Sequence, residues 1–364
     1  MTTLMFIVGL AALTAGAEML VRGGSRIASA LGISPLIVGL TVVAFGTSSP
    51  ELAVGVEAAW LGQADIVMGN VVGSNIFNVL FILGLSALIV PLAVAQQLVR
   101  IDVPLLIACS IALALMALDG EIGRVDATLL CLGVVAYSSF LVWQARKERD
   151  PQIISEYAEA YPGSTAKHWL VNVTLILLGL LLLIFGANWL IDAAVVFARQ
   201  LGVSELVIGL TVVAAGTSLP EVAASVVAAV KGERDIAVGN AIGSCIYNIL
   251  LVLGVTALVA PASIAVAQSV QNFDFPVMIA VSIACLPIFF SGYRIDRWEG
   301  AIFLGYYFSY TAYVVMKATA HDLLEPFSTT MLFFVLPLTL LTIVVLAARA
   351  WRAVPKPQTR QARS

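Results

Sequence analysis

Charge is what this chain has least of. Asp, Glu, Lys and Arg together make up 11% of its 364 residues, against about a quarter in an ordinary soluble domain. That is too little to cover the surface of a water-soluble globule, and no basic face is left over to hold nucleic acid. Histidine is almost missing: His168 and His321 both stand at the ends of apolar stretches, so the interior holds no histidine-based metal or catalytic centre. The four cysteines, Cys109, Cys131, Cys245 and Cys285, are scattered through apolar runs without paired spacing, which argues against a disulfide framework or a zinc site. Neither Lys nor His falls inside the most polar motifs. An intramembrane hydrolase that activates a serine with a neighbouring base therefore lacks its base.

What is abundant is apolar surface. Hydrophobic residues make up 60% of the chain and fall in continuous runs of about 20, each long enough to cross a hydrocarbon core of about 30 Å. Only helices and closed barrels satisfy the backbone at that depth, and a barrel would read as short alternating segments. The expectation is an all-α polytopic membrane protein of about eleven transmembrane helices, near 5–28, 34–60, 66–90, 103–118, 127–144, 169–198, 204–230, 236–260, 275–290, 300–315 and 329–347. A polar segment, 145–167, separates the fifth from the sixth, and a basic tail begins at Arg349. The N-terminus has no basic stretch ahead of its first apolar run, which predicts a retained helix and not a cleaved signal. With eleven spans, sixteen of the nineteen Lys and Arg fall on one side. The positive-inside rule puts that side in the cytoplasm. The expected location is the cell (inner) membrane, with the N-terminus outside and the C-terminus cytoplasmic.

The chain is also duplicated. Residues 31–80 laid on 201–250 without a gap match at 29 of 50 positions. The likeness reaches back to Gly16-Ala17 against Gly186-Ala187 and forward to Asp102-Val-Pro104 against Asp274-Phe-Pro276. Five spans per copy is an odd number, so the copies enter the membrane in opposite orientation, the inverted-repeat plan of secondary transporters. The expected organisation is a first repeat over 1–145, a cytoplasmic connector over 146–168, a second repeat over 169–317, an extra helix within 318–348 and a cytoplasmic tail over 349–364.

The strongest motif in each copy is a helix break beside a carboxylate: Gly46-Thr47-Ser48-Ser49-Pro50-Glu51 and Gly216-Thr217-Ser218-Leu219-Pro220-Glu221. A proline kink needs no buried acid, and carboxylates at bilayer depth ordinarily face an ion or a water-filled path. At the break, Thr47 and Ser48, four and three residues before Glu51, share one helical face with it, and the backbone carbonyls of Ala44 and Ala214 are expected to be released toward a cation. The following helices carry polar stripes at four-residue spacing, Asn70, Ser74 and Asn78 in one and Asn240, Ser244 and Asn248 in the other. For Asn70 and Asn240 the competing reading is hydrogen bonding between helices, with Gly69 and Gly73 allowing close approach. Two glutamates with hydroxyl, carboxamide and carbonyl oxygens suit a hard cation such as calcium, whereas a transition metal would favour His or Cys. Glu18, Asn188 and Asp192 stand near the ends of their spans and read as solvated at the interface, while Cys245 reads as packing.

Gly-Thr-Ser-x-Pro-Glu twice, each followed by Gly-Asn-x-x-Gly-Ser, resembles the cation/calcium exchanger superfamily, and most closely the prokaryotic sodium/calcium antiporters. The resemblance extends to about residue 317. It implies two inverted five-helix halves whose first and sixth helices slide across the rest to alternate access. It implies exchange of sodium for calcium, with no cofactor beyond the transported ions and no nucleic-acid partner. Ion ligands would be Glu51 and Glu221, joined by Thr47, Ser48, Thr217, Ser218, Ser74, Ser244 and Asn78 and by the carbonyls of Ala44 and Ala214. Asn248 takes the place of an Asp found in some members, which removes one charge from the cluster. A proton-coupled antiporter of calcium or another cation, on the same fold, is the alternative.

Overall fold

The computed structural model describes residues 1–147, 169–208, 211–212, 214–290 and 292–340. Among the described residues eight helices are long and apolar enough to cross a membrane: α1 (Thr2–Leu31), α2 (Pro35–Trp60), α3 (Ala64–Ile89), α4 (Leu98–Asp119), α5 (Arg124–Lys147), α6 (Trp169–Gln200), α8 (Arg234–Val259) and α9 (Val270–Phe290). Between α6 and α8 lies α7, described in the pieces Glu205–Ile208, Ala214–Gly216 and Leu219–Val230. After α9 come α10 (Arg297–Ala318) and α11 (Leu324–Leu340).

Burial is distributed as a bilayer requires. Large apolar side chains stand outward, among them Val125, Leu129 and Leu132 on α5 and Leu177, Leu181 and Phe185 on α6. The buried polar side chains include Glu51, Glu221, Ser74, Asn78, Ser244 and Asn248. The most deeply enclosed helices are α3 and α8, which carry the two polar stripes.

The sequence repeat is visible as exchanged contacts. Leu92-Ala93 pairs antiparallel with Arg294-Ile295, and Glu121-Ile122 pairs antiparallel with Ile264-Ala265. Each of these two-residue strands therefore bonds to a strand of the other copy. The helices that open the copies, α1 and α6, pack along their length at glycines. A Cβ at Gly16 would lie 2.7 Å from the Gly179 carbonyl oxygen, and one at Gly186 would lie 2.6 Å from the Leu13 nitrogen. Gly9 meets Gly186 and Gly23 meets Asn172, so the contact runs backward along α6 as it runs forward along α1. The two helices are antiparallel.

Helix limits differ from expectation for definite reasons. The expected starts at 103 and 275 stop short at Pro104 and Pro276, but each chain enters its helix earlier through a wide π-helical turn, Leu98–Asp102 and Val270–Asp274. Proline is tolerated in the first regular turn that follows. Helix α5 runs to Lys147, three residues into the expected polar segment, and α11 starts at Leu324. The remainder of the 145–167 connector, the end of the expected 329–347 span and the basic tail lie outside the described residues. Close helix packing is seen at Gly239 and Gly243, which meet Leu36, Leu40 and Ala44; the equivalent stretch of α7, which would face Gly69 and Gly73, lies largely outside the described residues.

Gly16→Ala forces backbone against backbone and should lower unfolding stability in detergent by about 1–3 kcal/mol. Gly305→Ala, where a Cβ would meet nothing within 4 Å, should leave stability unchanged or slightly raised. Equal thermal shifts for the two variants would rule out the glycine contact as a structural determinant.

Candidate functional site

Helix α2 changes course at Ser48. The helical turn Ala44–Thr47 ends there, and a new helix, Ser49–Trp60, restarts with Pro50 in its first turn and Glu51 beside it. Pro50 has no N–H to offer the carbonyl four residues back, that of Gly46. Glu51 sits at the positive end of the new helix, which favours its charge. In α7 the turn at Ser218 leads into Leu219–Val230, with Pro220 and Glu221 placed the same way.

The two breaks meet at the centre and exchange hydrogen bonds. The Ser218 hydroxyl donates to Glu51 Oε1 at 2.9 Å, and the Ser48 hydroxyl donates to Glu221 Oε1 at 3.3 Å. Each carboxylate is thus held by the serine of the other copy. The Ser74 hydroxyl on α3 lies 3.2 Å from that of Ser218. Glu51, Glu221, Ser48, Ser218 and Ser74 are each at most 3% exposed, so water contributes little to their solvation.

The remaining candidates take graded positions. Thr47 Oγ1 donates among three acceptors, the carbonyls of Val43 (3.1 Å) and Ala44 (3.4 Å) and Asn240 Oδ1 (3.1 Å). Thr217 is half-buried in the turn beside Ser218. Asn78 and Asn248 lie one helical turn beyond Ser74 and Ser244, and each begins a π-helical turn, Asn78–Leu83 and Asn248–Leu253. Such turns are rare and recur at functional sites. Ala44 departs from expectation. Its carbonyl is not released, since it accepts the Ser48 N–H at 3.1 Å as well as the Thr47 hydroxyl. The break falls one residue too late to free it, and the missing proline N–H falls on Gly46. For Ala214 only its place in the turn Ala214–Gly216 is described.

Several of these oxygens have no hydrogen-bond partner among the described residues: Glu51 Oε2, Glu221 Oε2, Asn78 Oδ1, Asn248 Oδ1 and Ser244 Oγ. A buried polar atom left without a partner costs about 1–3 kcal/mol, and five of them on four facing helices make a set of acceptors that a cation can satisfy. The chemistry is all oxygen. Among the described residues no three His, Cys, Asp or Glu side chains cluster.

Asn70 and Asn240 act between helices, as the competing reading had it, but at a telling place. Asn70 Nδ2 donates to the backbone carbonyl of Glu51 at 2.9 Å, and Asn240 Nδ2 donates to that of Glu221 at 3.3 Å and to the Ser225 hydroxyl at 2.9 Å. Each asparagine therefore ties its helix to the glutamate on the neighbouring broken helix. Ser225 went unnoticed because its counterpart is Gly55. Two further acids were not singled out, the buried Asp102 and the half-buried Asp274: Tyr137 donates to Asp102 at 3.0 Å and Tyr310 to Asp274 at 2.9 Å. The signal was present, since the two Asp-x-Pro motifs are equivalent in the repeat.

These features define a class, the polytopic helical membrane proteins whose broken helices meet at a buried polar centre. Within that class the chain belongs to the sodium/calcium exchanger family, a family of transporters: residues 1–145 and 171–316 match the model described as "Sodium/calcium exchanger protein". CaxA of Alkalimonas amylolytica is 41% identical over 312 residues, which cover 85% of this chain and 97% of CaxA. The sodium/calcium exchanger MaX1 of Methanosarcina acetivorans is 34% identical over 343 residues, covering 84% of this chain and 96% of MaX1. Among solved structures, the sodium-calcium exchanger NCX_Mj superposes with a TM-score of 0.71 at 30% identity, covering 87% of this chain and 97% of NCX_Mj.

Asn240→Ala removes the bond to the Glu221 carbonyl, the bond to Ser225 and the Oδ1 acceptor of Thr47, whose hydroxyl keeps the Val43 and Ala44 carbonyls. It should destabilise the protein by about 1–3 kcal/mol, and by more than Asn70→Ala, which removes one bond. Thermal unfolding of the two variants side by side checks the order; a larger loss for Asn70→Ala would contradict this account of the site.

Proposed function

We propose that the protein is a secondary antiporter that exchanges sodium for calcium across the membrane by alternating access. The site is the oxygen cluster shared between α2, α3, α7 and α8, with Glu51 and Glu221 as its charged core. The observation that carries this reading is the crossed pair of Ser–Glu hydrogen bonds, which brings the two acids of the two copies to one buried place and leaves one oxygen of each unpartnered. Two carboxylates neutralise one divalent cation. Calcium takes about six to eight oxygens in a flexible cage, and bidentate glutamates with the surrounding hydroxyls and carboxamides provide that number. The hydroxyls of Thr47, Ser48, Thr217, Ser218, Ser74 and Ser244 and the carboxamides of Asn78 and Asn248 are neutral donors suited to sodium. The Ala44 carbonyl joins them once the Thr47 hydroxyl turns off it, and the Ala214 carbonyl is its counterpart. Calcium and sodium compete because both draw on the same two charges, and that competition couples their movements.

The inverted arrangement supports alternation. Helices α1 and α6 are equivalent in the repeat and antiparallel in space, so the two sides of the membrane are offered the same machinery. The charge distribution supports an N-terminus outside and a C-terminus in the cytoplasm.

In proteoliposomes that contain only this protein, an outwardly directed sodium gradient should drive radioactive calcium uptake, and an imposed proton gradient should not. Glu51→Gln and Glu221→Gln should each reduce uptake to that of protein-free liposomes. Ser34→Ala should keep its uptake. It gives up a long helix-capping bond to the Ile37 N–H (3.4 Å) worth at most about 1–2 kcal/mol. Calcium flux in either glutamine variant at the unmodified rate would refute the site, and uptake that follows pH and ignores sodium would refute the coupling ion.

A further inference from the structure

The two copies are not equivalent in how their carboxylate-bearing half-helices are covered. Leu219–Val230 and Ser49–Trp60 pack alike on their shared neighbours: the first on α8 and α3, the second on α3 and α8. They differ at α1 and α6. Helix α1 lies along Leu219–Val230, and α6 touches it too, whereas neither α1 nor α6 makes comparable contact with Ser49–Trp60. The uncovered stripe on that helix is Ala53, Glu57 and Trp60, all exposed, while the counterpart of Ala53, Ala223, is buried. The structure is therefore closed on the side of Lys231 and open along the side of Trp60.

On the closed side, α1 is pinned to the end of α7. Lys231 Nζ donates to Glu18 Oε1 at 2.7 Å, and Arg22 donates to the same oxygen from the next turn of α1 at 2.8 Å. The repeat shows what the other side offers. The counterpart of Glu18 is Asn188 and that of Lys231 is Leu61, and neither of these can enter an ion pair. Exchanging the roles of the two copies generates the opposite state, in which α6 covers Ser49–Trp60 and α1 withdraws from Leu219–Val230. That exchange separates Glu18 from Lys231 and brings together an amide and a leucine.

We propose that the Glu18–Lys231 pair is a one-sided latch, a contact that exists in only one of the two access states and so weights the equilibrium toward closure on the Lys231 side. The inference rests on the alternating-access reading. The pair is partly exposed, with Lys231 at 33% and Glu18 at 43%, so its effect is that of a screened surface pair, about two- to five-fold on the equilibrium between states. It sets how often the transporter opens to each side and not which ion it carries.

Labelling rates test this in the full chain. A cysteine at Ala223 is covered by α1 while the latch is closed and reacts with a membrane-impermeant maleimide applied from the Lys231 side when α1 withdraws. Rates are read above the background of the native cysteines. Replacing the latch residues by their repeat counterparts, Glu18→Asn with Lys231→Leu, should speed labelling of Ala223→Cys about two- to five-fold. Adding the reversed pair to that background, Asn188→Glu with Leu61→Lys at two exposed positions, should speed it further and slow labelling of Ala53→Cys from the opposite side. If Ala223→Cys reacts at one rate in all of these variants, the latch is wrong and alternation stands. If it never reacts while Ala53→Cys does, alternation and the latch fall together.

Discussion

Everything in this molecule is arranged around two carboxylates that have been taken out of water. An isolated charge in a low-dielectric interior is expensive, and a buried pair of like charges is more so unless a counter-charge is present. The fold deals with Glu51 and Glu221 by placing each at the start of a half-helix, by giving each a serine from the opposite copy, and by tying the backbone of each to an asparagine of the neighbouring helix. These devices hold the acids in position and leave one oxygen on each unsatisfied. On the proposed function a cation supplies the remaining balance, so that binding the ion and stabilising the centre become the same event.

That requirement shapes the rest of the chain. Gly and Pro are placed where a helix must break, and the apolar surface faces outward where lipid replaces water. The glycine contact between α1 and α6 brings backbone against backbone, and the proposed alternation places the relative movement of helices at this contact. The two copies solve the same problem in mirrored positions, yet they are not identical. Ser225 against Gly55, Cys245 against Asn75 and the charged Glu18–Lys231 contact against Asn188 and Leu61 are places where the chain departs from its own symmetry. If the protein alternates between two nearly equivalent states, as proposed, small differences of this kind matter, because a modest energy shifts which state is occupied.

Much of this was legible in the sequence because the membrane narrows the choices. Long apolar runs give helices, and a duplicated Pro-Glu in such runs gives a break beside an acid. The four-residue spacing of Ser74 with Asn78 placed both on the polar face of α3. Contacts between copies were not legible. Nothing in the motif says that Ser218 serves Glu51 and not its own Glu221, since that depends on how the repeats dock. That the Ala44 carbonyl keeps the Ser48 N–H was not legible, because it depends on the turn falling at Ser48, a detail of backbone geometry and not of residue type. The π-helical turns before Pro104 and Pro276 escaped notice because proline reads as a helix start from the sequence. Glu18 read as interfacial, and its ion pair with Lys231 depends on a neighbour 213 residues away.

The central claim is that one cation is held jointly by acids from both copies. Calcium-dependent thermal stabilisation tests it directly, because a ligand that binds only the folded state raises the unfolding temperature with its concentration. The account predicts that the unmodified protein is stabilised by calcium, that Glu51→Gln and Glu221→Gln each abolish the effect, and that the double variant loses nothing further. Stabilisation that persists in one single variant, or two partial losses that add in the double, would mean two independent sites and would contradict the account.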